Sequence, residues 1–297
     1  MREFAEPYRH GWRESIQVRA LLYDGQSAFQ HLQVLDTVPF GRLLVLDDAC
    51  QTSEADEYTY HEMLVHVPMM AHPDPKRVLV IGGGDGGALR RVLEYPVEQA
   101  TMVEIDGEVV RVSRELLPGI AGDAFEHPRG ELIIGDGVKY LRETTEHFDV
   151  ILVDSTDPVG PAVDLFNEEF YRNAQRAIGE NGIIVTQSGS PLVMLDELIA
   201  AVKQLCSVFP IVKTYLACVP IYPGVLWSFT AASNNLDPAA VDPARIAARL
   251  RANGKPTGWY TPEIHRAAFA LPNFLTAALG IQTADEPSAL PLPISGE

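Results

Sequence analysis

The chain has 297 residues, enough for one large domain or a main domain with a small appendage. Its 23 Lys and Arg against 40 Asp and Glu leave a net charge of −17, which argues against a nucleic-acid or anionic-membrane surface and favours cationic small molecules. Three widely spaced cysteines without a Cys-x-x-Cys pair suggest a reduced, cytoplasmic protein and neither a disulfide framework nor a zinc site. The N-terminal MREFAEPYRHGWRES lacks an apolar signal region, and no run approaches the ~18 apolar residues of a membrane span, so neither targeting nor membrane insertion is expected.

From Ser15 to Thr52 polar and apolar residues alternate. Turn signals at Asp24-Gly25, Pro39-Phe40-Gly41 and Asp47-Asp48 predict an antiparallel meander of about four strands. ADEYTYHEMLVHVPMM then changes to helical spacing, with Asp56 as N-cap, and the prolines of HPDPK at 72–76 break the chain. The expected organisation is a β-meander domain with its linking helix over 1–72, an α/β domain over 73–284 and a disordered tail over 285–297.

Five short apolar runs follow, Val78–Ile81, Thr101–Ile105, Leu132–Ile134, Val150–Val153 and Ile183–Thr186, mostly separated by helical stretches such as Gly107–Leu117 and Asn167–Ile178. That rhythm predicts an α/β fold, a Rossmann-like doubly wound parallel sheet. Leu216–Ala232 reads as an antiparallel edge pair of the same sheet.

Gly82, Gly84 and Gly87 satisfy a dinucleotide fingerprint, and Glu104 lies where such a site keeps its ribose-binding acid. Asp85 does not fit, because a turn that cradles pyrophosphate should not carry a carboxylate. In open α/β sheets the ligand sits beyond the carboxyl ends of the strands. Asp85, Glu104, Asp136, Asp154 and Gln187 stand there, four carboxylates among five residues. Asp85 could instead be a turn former and Asp136 the N-cap of the next helix. Asp154 and Asp157 open the proline-broken loop DSTDPVGPAVDLF and make an acidic mouth. An anionic pocket beside an adenosine-type site selects a nucleoside whose far end is cationic. A sulfonium nucleoside fits, and Asp85 favours the decarboxylated form of S-adenosylmethionine, which ends in an ammonium instead of an amino acid.

SAFQ at 27–30, DEYTYHEM at 56–63, VLVIGGGDGGALR at 78–90, VEID at 103–106, GDG at 135–137, FDVILVDSTDPVGPAVDLF at 148–166, Tyr222-Pro223 and YTPEIHRAAFALP at 260–272 together resemble the polyamine aminopropyltransferases, most of all the bacterial spermidine synthases. The resemblance implies a methyltransferase-type catalytic domain and a homodimer or homotetramer. It implies that Gln30 contacts the nucleoside, Glu104 holds the ribose, and Asp136 and Gly137 meet the adenine under Pro161. Asp85 and Tyr60 would hold the aminopropyl ammonium, with Asp154 as proton acceptor. His61, Asp157, Gln187 and Tyr222 would line the channel for the diamine, putrescine first, with cadaverine, agmatine or spermidine as alternatives. Two departures bear on acceptor fit: Leu46-Asp47-Asp48 where the family commonly has Leu-Asp-Gly, and Gly224-Val225 after Tyr222-Pro223 where it commonly has Ser-Gly or Gly-Gly.

The chemistry agrees. An alkyl ammonium has a pKa near 10.4, so its nucleophilic neutral form lies about 4.6 kcal/mol uphill at pH 7 and something must take the proton. The sulfonium is already an activated leaving group, so neither a metal nor a resident cofactor is expected. Two rivals stay open on the sequence: an S-adenosylmethionine-dependent methyltransferase of the same fold, and a catalytically silent polyamine-binding protein.

Overall fold

The computed structural model describes residues 2–8, 12–156 and 164–281. The N-terminal sheet has five antiparallel strands in chain order: β1 (Arg2–Pro7), β2 (Arg13–Gln26), β3 (His31–Thr37), β4 (Gly41–Leu46) and β5 (Ala49–Ser53). That is one strand more than the alternation predicts. Strand β1 buries only Glu6 and so carries no apolar period; pairing with β2, Ala5 opposite Ser15, holds it. The β4–β5 hairpin turns through Asp47 and Asp48, both at positive φ (46° and 65°).

The second sheet has seven strands in the order β11-β12-β10-β9-β6-β7-β8. Five are parallel: β6 (Arg77–Gly82), β7 (Gln99–Glu104), β8 (Gly130–Ile134), β9 (Val150–Asp154) and β10 (Ile183–Gln187). β12 (Leu226–Ser233) and β11 (Ile211–Cys218) close one side as the expected antiparallel pair. Side chains alternate between two buried layers. Val78 and Val80 pack with Met63, Leu64 and Phe229 on one face. Leu79 and Ile81 pack with Phe170, Tyr171 and Leu205 on the other. Among the described residues no helix is long and apolar enough to cross a membrane.

The intervening helices are α1 (Glu57–Ala71), α2 (Gly87–Leu93), α3 (Gly107–Leu116), α4 (Pro118–Ala121), α5 (Gly137–Glu143), α6 (Glu168–Ile178), α7 (Leu195–Val208), α8 (Pro243–Asn253), α9 (Pro262–Ala268) and α10 (Asn273–Ala278). Helix α1 does not stand between two units as a linker. Nearly all of its side chains are buried, and they pack in the core layer shared with β6, β9 and α2. By packing, the chain therefore passes from one unit to the other at 54–56, ahead of α1.

Asp56 occupies the N-cap position of α1, but its side chain does not cap the helix. Oδ1 instead accepts the Ser53 hydroxyl at 2.5 Å and Oδ2 the Ile221 N–H at 2.9 Å, clamping β5 to the β11–β12 connection. On the same helix the buried Glu62 accepts three backbone N–H groups, from Gly258, Trp259 and Tyr260, at 2.7 to 2.8 Å.

Candidate active site

Strand order reverses at β6, whose neighbours are β7 on one side and β9 on the other, and the cleft opens beyond the carboxyl ends there. The β6–α2 turn lies directly against the end of β9. Gly82, at φ +82°, would place a Cβ 2.1 Å from the Asp154 carbonyl oxygen, so no larger residue fits. The next N–H, of Gly83, donates to that carbonyl at 2.8 Å.

A cavity of about 370 Å³ is lined by Gln30, Tyr60, His61, Asp85, Glu104, Asp136, Gly137, Asp154 and Tyr222, nine of the residues expected from the sequence. Gln187 lines a second chamber of about 300 Å³, which shares Gln51, Tyr60, Ser155, Thr156 and Tyr222 with the first. Asp157 and Pro161 lie outside the described residues.

The local ties of these carboxylates fit both alternatives posed above. Asp85 is a turn former, since Oδ1 accepts the Gly87 N–H at 2.7 Å, and it also faces the cleft, with Oδ2 3.5 Å from His61 Nε2. Asp136 is the N-cap of α5, with Oδ1 accepting from Val138 and Lys139, and it too lines the cavity. Glu104 Oε1 accepts the Asp106 N–H at 2.8 Å. Burial pushes the Glu104 carboxyl up to about 7; the Asp106 and Asp154 charges add to this, while the N–H groups of Asp106 and Gly84 act against it. Asp106 caps α3 and binds Gln30 Nε2 at 3.0 Å, which holds the N-terminal sheet to the ribose end of the cleft.

Asp154 lines the first chamber, between Ser155 and the Tyr60 hydroxyl, and both of those residues also line the second. Oδ1 accepts the Tyr60 hydroxyl at 2.8 Å, while Oδ2 is buried without a hydrogen-bond partner. Burial raises its carboxyl to about 6, with the Asp85 charge adding and the His61 charge and Tyr60 hydroxyl opposing. A carboxylate with one oxygen tied and one unsatisfied can accept a proton close to neutral pH.

The structure adds residues that sequence reasoning missed. Glu6, Glu197 and Trp227 line the second chamber with Tyr222, whose hydroxyl donates to the Gln51 carbonyl at 2.6 Å. Behind the cleft wall Glu57 binds His61 Nδ1 at 2.8 Å. Their spacing of four on one helix was the available signal. His61 lines the first chamber, at the Asp85 end, and not the second. Val225 lines neither chamber; it stands 40% exposed at φ +64°, beside Gly224 at φ +71°. Both departures from the family pattern thus put a residue with a side chain where the backbone favours glycine. Backbone strain is one consequence of these departures.

Residues 57–242 match the family model described as the Spermine/spermidine synthase domain, and residues 3–54 match that of the Spermidine synthase tetramerisation domain. The chain belongs to the spermine/spermidine synthase family. Within it, the polyamine aminopropyltransferase of Desulforudis audaxviator (strain MP104C) is 50% identical over 273 residues, 92% of this chain and 97% of the relative. That of Thermoanaerobacter sp. (strain X514) is 47% identical over 92% of this chain and 96% of its own. Among solved structures, a spermidine synthase in complex with the transition state analogue AdoDATO superposes with a TM-score of 0.90 at 38% identity, covering 95% of this chain and 96% of the other. The spermidine synthase from Thermotoga maritima gives 0.87 at 37%, covering 95% of each. The two family models part between residues 54 and 57, the same place where packing passes from one sheet to the other.

Proposed function

We propose that the protein is a spermidine synthase, which transfers the aminopropyl group of decarboxylated S-adenosylmethionine to putrescine and releases spermidine and 5′-methylthioadenosine. The observation that carries this reading is the unsatisfied, buried Asp154 Oδ2 in a nucleoside-sized chamber, beside Tyr60 and Ser155 that open onto a second one, in a chain of this family. Glu104 accepts the ribose hydroxyls, Gln30 contacts the nucleoside, and the free oxygen of Asp136 with Gly137 meets the adenine. Asp85 and Tyr60 take the aminopropyl ammonium. The diamine enters by the second chamber past Gln187 and Tyr222; the family resemblance assigns Asp157 to the diamine and Pro161 to the adenine.

As the amine nitrogen bonds to the carbon next to sulfur, the carbon–sulfur bond breaks and its electron pair leaves on the thioether. The proton shed by the nitrogen goes to Asp154 Oδ2. The sulfonium supplies its own leaving-group activation, so the step needs no resident cofactor or metal, and alignment of the reactants supplies most of the remaining acceleration. The enzyme acts in the cytoplasm as a homo-oligomer. Exposed Leu21, Leu22 and Val38 on and beside the N-terminal sheet suit contact between copies, in a dimer or a tetramer.

Incubation with decarboxylated S-adenosylmethionine and a panel of putrescine, cadaverine, agmatine and spermidine tests the reading. Methylthioadenosine should form fastest with putrescine. Absence of methylthioadenosine with every amine, together with methyl transfer from S-adenosylmethionine, identifies a methyltransferase instead.

A further inference from the structure

The His61 ring is buried in the cleft wall between carboxylates on two different elements. Nδ1 lies 2.8 Å from Glu57 Oε2, and Nε2 lies 3.5 Å from Asp85 Oδ2. Its seat depends on Gly87, where a Cβ would come within 2.2 Å of the ring. The charges around it come from every side. Asp56 and Glu57 belong to its own helix, Asp85 to the glycine turn and Asp154 to the end of β9. Arg91 and Arg90 of α2 stand behind Glu57 at 3.1 and 3.4 Å. The Tyr60 ring closes the remaining edge.

Burial disfavours a charge on this ring, but Asp85 and Glu57 outweigh it and hold His61 protonated well above the usual imidazole range. In the empty site, then, an imidazolium already occupies the carboxylate that the proposed substrate needs. Decarboxylated S-adenosylmethionine brings two positive charges, a sulfonium and an ammonium, into the same low-dielectric space. Three cations against Asp85 and Asp154 repel one another; the sulfonium has no proton to give up and the ammonium is the weaker acid in water, so the ring is the group that discards its charge to solvent.

We propose that His61 is a positioning residue that exchanges its proton for the substrate: charged, it aims Asp85 into the empty cleft, and it releases the proton to solvent as the aminopropyl ammonium takes Asp85. The ring recovers a proton when the product leaves. This inference rests on the sulfonium-nucleoside reading above.

The test is calorimetric titration of the full-length protein with decarboxylated S-adenosylmethionine at pH 8, in two buffers of different ionisation enthalpy. At that pH Asp154 and Glu104, at about 6 and about 7, are already almost fully ionised and have little to release. The expected result is net proton release on binding, and none with methylthioadenosine, which lacks both charges. His61→Gln should abolish the release, and Glu57→Gln, which leaves the ring in place, should reduce it. Binding without release in the native protein overturns this inference and spares the functional one, whereas no binding at all overturns both. Release that persists in His61→Gln also overturns it, because a purely structural histidine would change the melting temperature and leave the proton count alone.

Discussion

The two chambers on either side of Tyr60 are held together in different ways. In the first, three carboxylates are fixed by their own neighbourhoods: Asp85 by the N–H of Gly87, Glu104 by that of Asp106, Asp136 by those of Val138 and Lys139. In the second, two of the fixing partners are remote, Glu6 accepting from Cys50 and Tyr222 donating to the Gln51 carbonyl, while Gln187 accepts from nearby Gly189. The difference teaches that three strand-end acids of the nucleoside chamber are set within their own strand–turn–helix units, whereas the amine end leans on contacts between the two sheets and the β11–β12 connection.

The strongest way to break that comparison is at the shared wall. Asp154→Asn should lower kcat by about 10²- to 10⁴-fold while decarboxylated S-adenosylmethionine still binds within a few-fold of its native affinity, read by turnover and by equilibrium titration. Equal loss of both would make Asp154 a binding group. In the native enzyme kcat/KM should fall as pH drops below about 6, because the accepting carboxylate must be ionised. The stability sign is the reverse. A folded-state value above the ordinary 3.8 means the folded protein gains stability as acid protonates Asp154 and loses that gain as pH rises through about 6, so the Asn variant should melt higher at pH 8.

A smaller effect is expected from Glu104→Gln, which removes a charged acceptor from the first chamber alone. Nucleoside affinity should fall by about 10- to 100-fold, as befits a charge-assisted hydrogen bond of roughly 1.5–3 kcal/mol, with the amine KM unchanged. A matching rise in the amine KM would show that the chambers are not independent. The smallest effect belongs to the hairpin corner. A left-handed conformation costs a residue with a side chain about 1–2 kcal/mol, partly offset by the greater unfolded-state freedom of glycine. Val225→Gly should therefore stabilise the protein by less than about 1 kcal/mol in denaturant titration, with turnover unaltered.

The same local-versus-remote divide explains what the residue pattern revealed. Four of the parallel strands, β6, β7, β9 and β10, are buried on both faces and read as apolar runs, so the sheet, its antiparallel edge pair and the acids at the strand ends were all legible. So were the turn-forming role of Asp85 and the capping role of Asp136, since each depends on residues two or three positions away. Strand β1 escaped because it buries only one side chain and its pairing partner sets its conformation. Glu6 and Trp227 escaped for a related reason: nothing near either residue announces that strands so far apart in the chain converge on one chamber. Val225 was legible as a departure but its left-handed backbone was not, because the sign of φ belongs to the folded turn and not to the residue type.

The carboxylate of Glu62 has a bearing on how the protein is made. Helix α1 presents Tyr60 and His61 to the cleft, and the next residue along is only 1% exposed and faces backbone N–H groups almost two hundred positions later. A nascent chain that has not yet reached Gly258 has no such donors to offer, and Arg91, at 3.7 Å, would be left to answer for a buried charge. The helix that carries the first half of the site therefore reaches its final burial only when the last part of the chain emerges, and synthesis itself sets the order in which the enzyme is completed.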